Sequence, residues 1–190
     1  MTTMVRSHIT IPEGYRSPEA ALFVAQLDDQ LALLLKDTIG LTPADLEWQP
    51  APGMNTIGML LAHIAIVEVW WLKIGIGREE KPVMEDVLGI NVDDDGMPIK
   101  AGAAPPTALA GKTIAFYHDL LDRARAYTKR LAAAHPQEEL DRELIRTRND
   151  GSQRAMNVRW VYYHVLEHFA GHYGQILLLK HMREDAAKRA

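Results

Sequence analysis

Residues 159–179 read RWVYYHVLEHFAGHYGQILLL. Val161, Val165, His168, His172, Ile176 and Leu179 fall three and four apart, so one helical face is apolar except for two imidazoles at its middle. The pattern extends in both directions and predicts a helix from about Met156 to Arg183. Three more such stripes precede it. Pro18 to Ile39 carries Val24, Leu27, Leu31, Leu34 and Thr38, with a proline suited to a first turn and Gly40 as a stop. Asn55, a good N-cap, opens a run to about Ile76. Its face is Leu60, Ile64, Val67, Trp71 and Ile74, widened by His63 and Trp70. Thr107 to Ala134 carries Ile114, Tyr117, Leu121, Ala124 and Leu131, and ends before Pro136.

Four long amphipathic helices point to an all-α fold, a four-helix bundle within a single domain spanning residues 1–190. Residues 1–17 form an N-terminal extension. Thr42 and Pro43 open a short helical turn, and the prolines at 50 and 52 break the chain after it. The connection over residues 77–106, between the second and third helices, is long for a bundle loop and is expected as a solvated excursion. A connection of that length leaves helix order open. One stretch competes as sheet: in IRTRNDGSQRAM, residues 145–156, the NDG could turn a short hairpin.

Composition narrows the function. A formal net charge of −4 supplies no basic field for nucleic acid or an anionic membrane. The first residues, MTTMVRSHITIPEG, contain no signal-like apolar core, and no run is expected to span a bilayer, so a cytoplasmic setting is expected. There are no cysteines, so any sulfur chemistry must use a thiol brought by a substrate. NVDDDG at residues 91–96 starts like a calcium loop, but its twelfth position is Gly102 where a bidentate glutamate is required. A solvated acidic turn is expected there. A ferritin-like di-iron centre needs Glu-x-x-His on two helices, which the bundle helices lack.

The histidines remain. Side chains four apart lie about 40° apart around a helix and one turn along it, so His168 and His172 can aim at one point. Spacing alone is weak, since eight histidines in 190 residues supply about 0.3 such pairs by chance. Position adds weight: both sit in the apolar stripe, where an unpartnered buried imidazole costs on the order of 1–3 kcal/mol. His63, between Leu60 and Val67, shares a core-facing stripe on another helix. Three such imidazoles suit a metal with open positions; satisfied core histidines are the competing reading. His164 drifts about 80° from His172 and is expected behind the ligands or in packing. His118 is the rival ligand, and His8, His135 and His181 are expected at termini or surface.

Two blocks resemble a known family. WQPAPGMNTIGMLLAHIAIVEVWW, residues 48–71, and RWVYYHVLEHFAGHYGQILLL are similar to the second and last helices of the DinB/YfiT-like superfamily of metalloenzymes. The resemblance extends through helix lengths over most of residues 18–182. It implies a four-helix bundle holding one divalent metal through His63, His168 and His172. A related branch, with a mycothiol-dependent maleylpyruvate isomerase, has glutamate where this chain has His168. Gln175, one turn past His172, is then a candidate to hold that imidazole by a hydrogen bond. The resemblance also implies a homodimer. The adjacent Trp70 and Trp71 cannot both centre on one core, which leaves one for another helix's edge or a partner subunit.

Three imidazoles accept Zn, Ni, Fe or Mn, with Zn or Ni favoured. Such an ion lowers the pKa of water or of a thiol. The superfamily's enzymes imply transfer of a low-molecular-weight thiol to a small electrophile. A metal-hydroxide hydrolase and a non-catalytic metal-binding or dimerising module are the alternatives. No acid–base pair is legible. Glu68 lies about 140° from His63 and Glu167 about 100° from His168, both expected on the surface or between helices. Tyr162, Tyr163 and Tyr173 are expected to pack.

Overall fold

The computed structural model describes residues 7–92, 105–147 and 150–189. The chain is mainly α. Its long helices are α1 (Pro18–Thr38), α3 (Ile57–Gly75), α5 (Ile114–Ala134) and α6 (Val158–Arg189). Two one-turn helices, α2 (Pro43–Leu46) and α4 (Glu85–Leu88), sit in the connections. The hairpin is present, and it corrects the all-α expectation. Strands β1 (Glu143–Thr147) and β2 (Gln153–Asn157) pair antiparallel, with Leu144 opposite Met156 and Arg146 opposite Arg154. Gly151 adopts φ 81° in the turn, a left-handed conformation that favours glycine.

The helix starts follow from capping chemistry. The Ser17 hydroxyl accepts from the Ala20 N–H at 3.0 Å, and Pro18 occupies the first turn. In α3 the cap is Thr56, whose hydroxyl accepts from the Met59 N–H at 3.1 Å, so Asn55 is displaced by one residue. The helix expected from Thr107 starts only at Ile114. A 3-10 turn over Thr107–Leu109 and a left-handed Gly111 intervene. In α6 the Asn157 Oδ1 accepts from the Trp160 N–H at 2.9 Å, and the helix continues to Arg189.

Helices α1 and α3 each pack against both α5 and α6. Leu27, Leu34, Leu60, Ile64, Leu121, Tyr162 and Phe169 lie in the shared core. Helix α3 is buried on nearly all sides. By length and composition it is also apolar enough to cross a membrane, contrary to expectation, yet 78% of its apolar window is buried within the protein. Part of the long connection is core as well: Met84, Leu88 and Ile90 are buried, and Lys73 of α3 holds Asp86 at 2.7 Å. Residues 93–104, with most of the acidic turn at 91–96, lie outside the described residues.

One buried polar brace ties α3 to α5. Glu68, expected near the surface or between helices, is 2% exposed and Arg125 is 3% exposed. The Arg125 Nε and Nη2 donate to Glu68 at 2.9 and 3.2 Å, and the Thr128 hydroxyl donates to it at 2.7 Å. Asp28 of α1 accepts from the same guanidinium at 3.0 Å.

Candidate metal centre

Helix α6 presents His168 and His172 one turn apart, and α3 presents His63 to the same point. The Nε2 of His168 lies 3.0 Å from the Nε2 of His63 and 3.1 Å from the Nε2 of His172. All three offer ligand atoms within 4.8 Å of one another. All three side chains are half-buried. Nitrogens bound to one zinc at about 2.0–2.1 Å stand roughly 3.0–3.4 Å apart for angles near 90–110°. The two spacings from His168 fall in that range.

Protonation favours the same use. The Nδ1–H of His172 donates to the Gln175 Oε1 at 2.7 Å, which leaves the lone pair on the Nε2 that faces the cluster. Burial lowers the His172 pKa, opposed by that Gln175 bond. Burial also pushes His168 down to about 3, reinforced by His172, His63 and His164. His168 and His172 are therefore neutral at pH 7. Neutral imidazole nitrogens 3 Å apart need a shared proton or a cation between them, and one cation serves all three. The cluster could hold a divalent metal.

The other candidates are placed elsewhere. His164 stacks on Trp160 with ring centroids 4.6 Å apart and interplanar angle 12°, and its Nδ1 meets the Glu167 Oε1 at 2.9 Å. Its ring is 5.8 Å from that of His168, so it borders the cluster without offering a ligand atom to it. His118 is not a rival ligand: its Nε2 meets the Thr38 hydroxyl at 2.9 Å, between α5 and α1. His135, expected at the surface, is buried, and among the described residues neither ring nitrogen has a hydrogen-bond partner. Tyr162 is buried, Tyr163 is exposed, and the Tyr173 hydroxyl donates to Asp37.

Sequence reasoning missed the aromatic wall beside the cluster. Trp71 meets His164 edge-on at 5.0 Å and Trp160 at 5.3 Å. Trp70 meets Trp71 at 4.8 Å. The adjacent tryptophans thus find each other and α6, and the i, i+4 spacing of Trp160 and His164 was the available signal. A cavity of about 320 Å³ opens beside Thr56, Met59 and Tyr117, on the N-terminal side of His63 along α3, and the three histidines do not line it.

Comparison with known families now bears on this geometry. The model of the mycothiol S-transferase family matches residues 22–185. The chain belongs to that family. The match takes in α3 and α5 whole, most of α1 and α6, and all three clustered histidines, and membership brings a thiol S-transferase-like function. It agrees with the DinB/YfiT-like resemblance. No curated protein matches the chain.

Proposed function

We propose that this protein is a metal-dependent S-transferase on a DinB/YfiT-like four-helix bundle. In this reading His63, His168 and His172 hold one divalent metal, zinc or nickel by preference, and a low-molecular-weight thiol such as mycothiol is joined to a small electrophile. The observation that carries it is the convergence of three Nε2 atoms from two helices at 3.0 and 3.1 Å. A divalent ion there would favour the thiolate form of a thiol at neutral pH.

The chain's own residues do the rest. Gln175 fixes the His172 tautomer and ring orientation. The ligands are neutral, so the site keeps the full charge of its ion. His164 borders the cluster beside His168, with Trp71 packed edge-on against it. With no cysteine of its own, the protein cannot compete with the donor thiol for the electrophile. The superfamily resemblance further supports a homodimer, which sedimentation equilibrium would test.

The test is elemental analysis of tag-free protein beside His168→Ala, followed by assays of thiol consumption with mycothiol and chloroacetamide. About one metal per chain, lost together with transfer in the variant, is expected. No metal after incubation with zinc and nickel and desalting would overturn the reading.

A further inference from the structure

The hairpin carries an arrangement that the metal site does not use. Arg146 and Arg154 are directly opposed across the strand pair, an unfavourable placement for two like charges. They share a face with Leu144 and Met156, the face turned toward the helices. The Arg146 guanidinium lies 4.9 Å from the Trp70 ring centroid and that of Arg154 lies 4.1 Å from the Trp160 centroid. Among the described residues neither arginine forms an ion pair. The nearby Glu167 meets His164 at 2.9 Å and interacts with Arg154 only through longer-range charge attraction, which contributes to lowering its pKa after the His164 and Tyr163 bonds. A guanidinium held over an aromatic ring by cation–π attraction still has N–H groups to donate, the groups that bind carboxylates in a bidentate fork.

The row Arg154, Trp160, His164 leads directly to His168. Trp160 and His168 are about 12 Å apart along the α6 axis, within the span of a small extended substrate. We infer that Arg146 and Arg154 form a carboxylate-recognition site that selects an anionic co-substrate for the neighbouring metal centre. As a selector of substrates it rests on the thiol-transfer reading; as a carboxylate site it stands alone.

The test separates the two. Succinate and its neutral diamide are titrated into the metal-free protein and followed by tryptophan fluorescence. Succinate should bind saturably and more weakly as salt rises, and succinamide at least tenfold more weakly. Arg146→Gln and Arg154→Gln should each weaken succinate binding about tenfold and leave succinamide unchanged, with Arg154→Lys intermediate. Equal binding of both probes, or variants that lose thermal stability without losing succinate preference, would reduce the arginines to packing and overturn the site.

Transfer assays then identify which substrate carries the charge. Mycothiol with chloroacetate or chloroacetamide varies the electrophile; mercaptoacetate with chloroacetamide puts the carboxylate on the thiol. In each, a carbon–sulfur bond forms, the carbon–chlorine bond breaks, chloride leaves with the electron pair, and the thiol proton goes to solvent. A raised KM in Arg154→Gln with kcat retained, for the charged partner alone, is expected. If no pair reacts while succinate still binds, the thiol-transfer reading fails and the carboxylate site remains.

Discussion

Arg125→Met is expected to destabilise the protein by about 3–5 kcal/mol near pH 8. The reason lies in what the substitution leaves behind. Glu68 is 2% exposed and would lose both guanidinium bonds, keeping the Thr128 hydroxyl at 2.7 Å. It must then remain as a buried unpaired charge or take up a proton on folding, because burial without a partner disfavours the charged form of a carboxyl. A carboxyl with a raised folded-state pKa binds more protons folded than unfolded. Its cost is therefore absent at low pH and grows as pH rises toward the folded pKa. The deficit against the parent protein should shrink between pH 8 and pH 5. Removing both charges, in Glu68→Leu/Arg125→Met, should come within about 1–2 kcal/mol of the parent, because no buried charge is stranded. Urea denaturation followed by circular dichroism at pH 5 and pH 8 measures all three proteins. A loss below about 1 kcal/mol in Arg125→Met, or additive losses in the double variant, would refute the reasoning.

Three further outcomes are expected. His63→Ala and His172→Ala should each lose metal while keeping their helical content, read by elemental analysis and far-ultraviolet circular dichroism; undiminished metal in both would exclude the triad. Gln175→Leu should weaken metal affinity about 10–100-fold in competition with a chelator, and an unchanged affinity would show that the Gln175 bond does not orient His172. In the metal-free protein, His168 is held down to about 3 and His172 is also lowered, burial being the largest cause of each. A histidine with a depressed folded pKa contributes its full stability above the unfolded value of about 6.5 and loses it as pH falls toward the folded value. The urea midpoint of metal-free protein should therefore drop between pH 7 and pH 5, more than that of a His168→Ala/His172→Ala variant.

Periodicity made the four long helices and the pairing of His168 with His172 legible, because spacing within a helix fixes direction without knowledge of its neighbours; His63 joined them through its core-facing stripe and the family resemblance, with His118 as a rival. What depends on neighbours was hidden. Glu68 sits about 140° from His63, an angle that allows either a solvent face or a place between helices. Helix α3 is buried nearly all round, so the solvent face does not exist and the carboxylate meets Arg125 instead. The helix expected from Thr107 starts only at Ile114, because Gly111, left-handed at φ 67°, ends the first turn before a helix can propagate. His135 follows the end of a helix and precedes a proline, which reads as surface; the 3-10 turn over Gln137–Asp141 folds that corner inward. The facing of Arg146 and Arg154 required the hairpin register, which NDG suggests and only the pairing fixes.

The two halves of the candidate metal centre rest on different kinds of constraint. His168 and His172 share one helix, so α6 alone sets their separation, and no repacking short of unwinding that turn changes it. His63 reaches them only if α3 keeps its height and rotation against α6. Two contacts bear on that register. At one end Gly75 approaches Val161 so closely that an added Cβ would lie 2.9 Å from Cγ1. Nearer the site, the Glu68–Arg125 brace fixes the rotation of α3 five residues from His63, with Arg125 also lying over the Phe169 ring beside His168. A side chain at residue 75 would push α3 from α6 and move His63 while leaving the His168–His172 pair intact. Metal affinity is thus expected to be more sensitive than helical content to substitutions at Gly75 and Arg125, although neither residue belongs to the histidine triad.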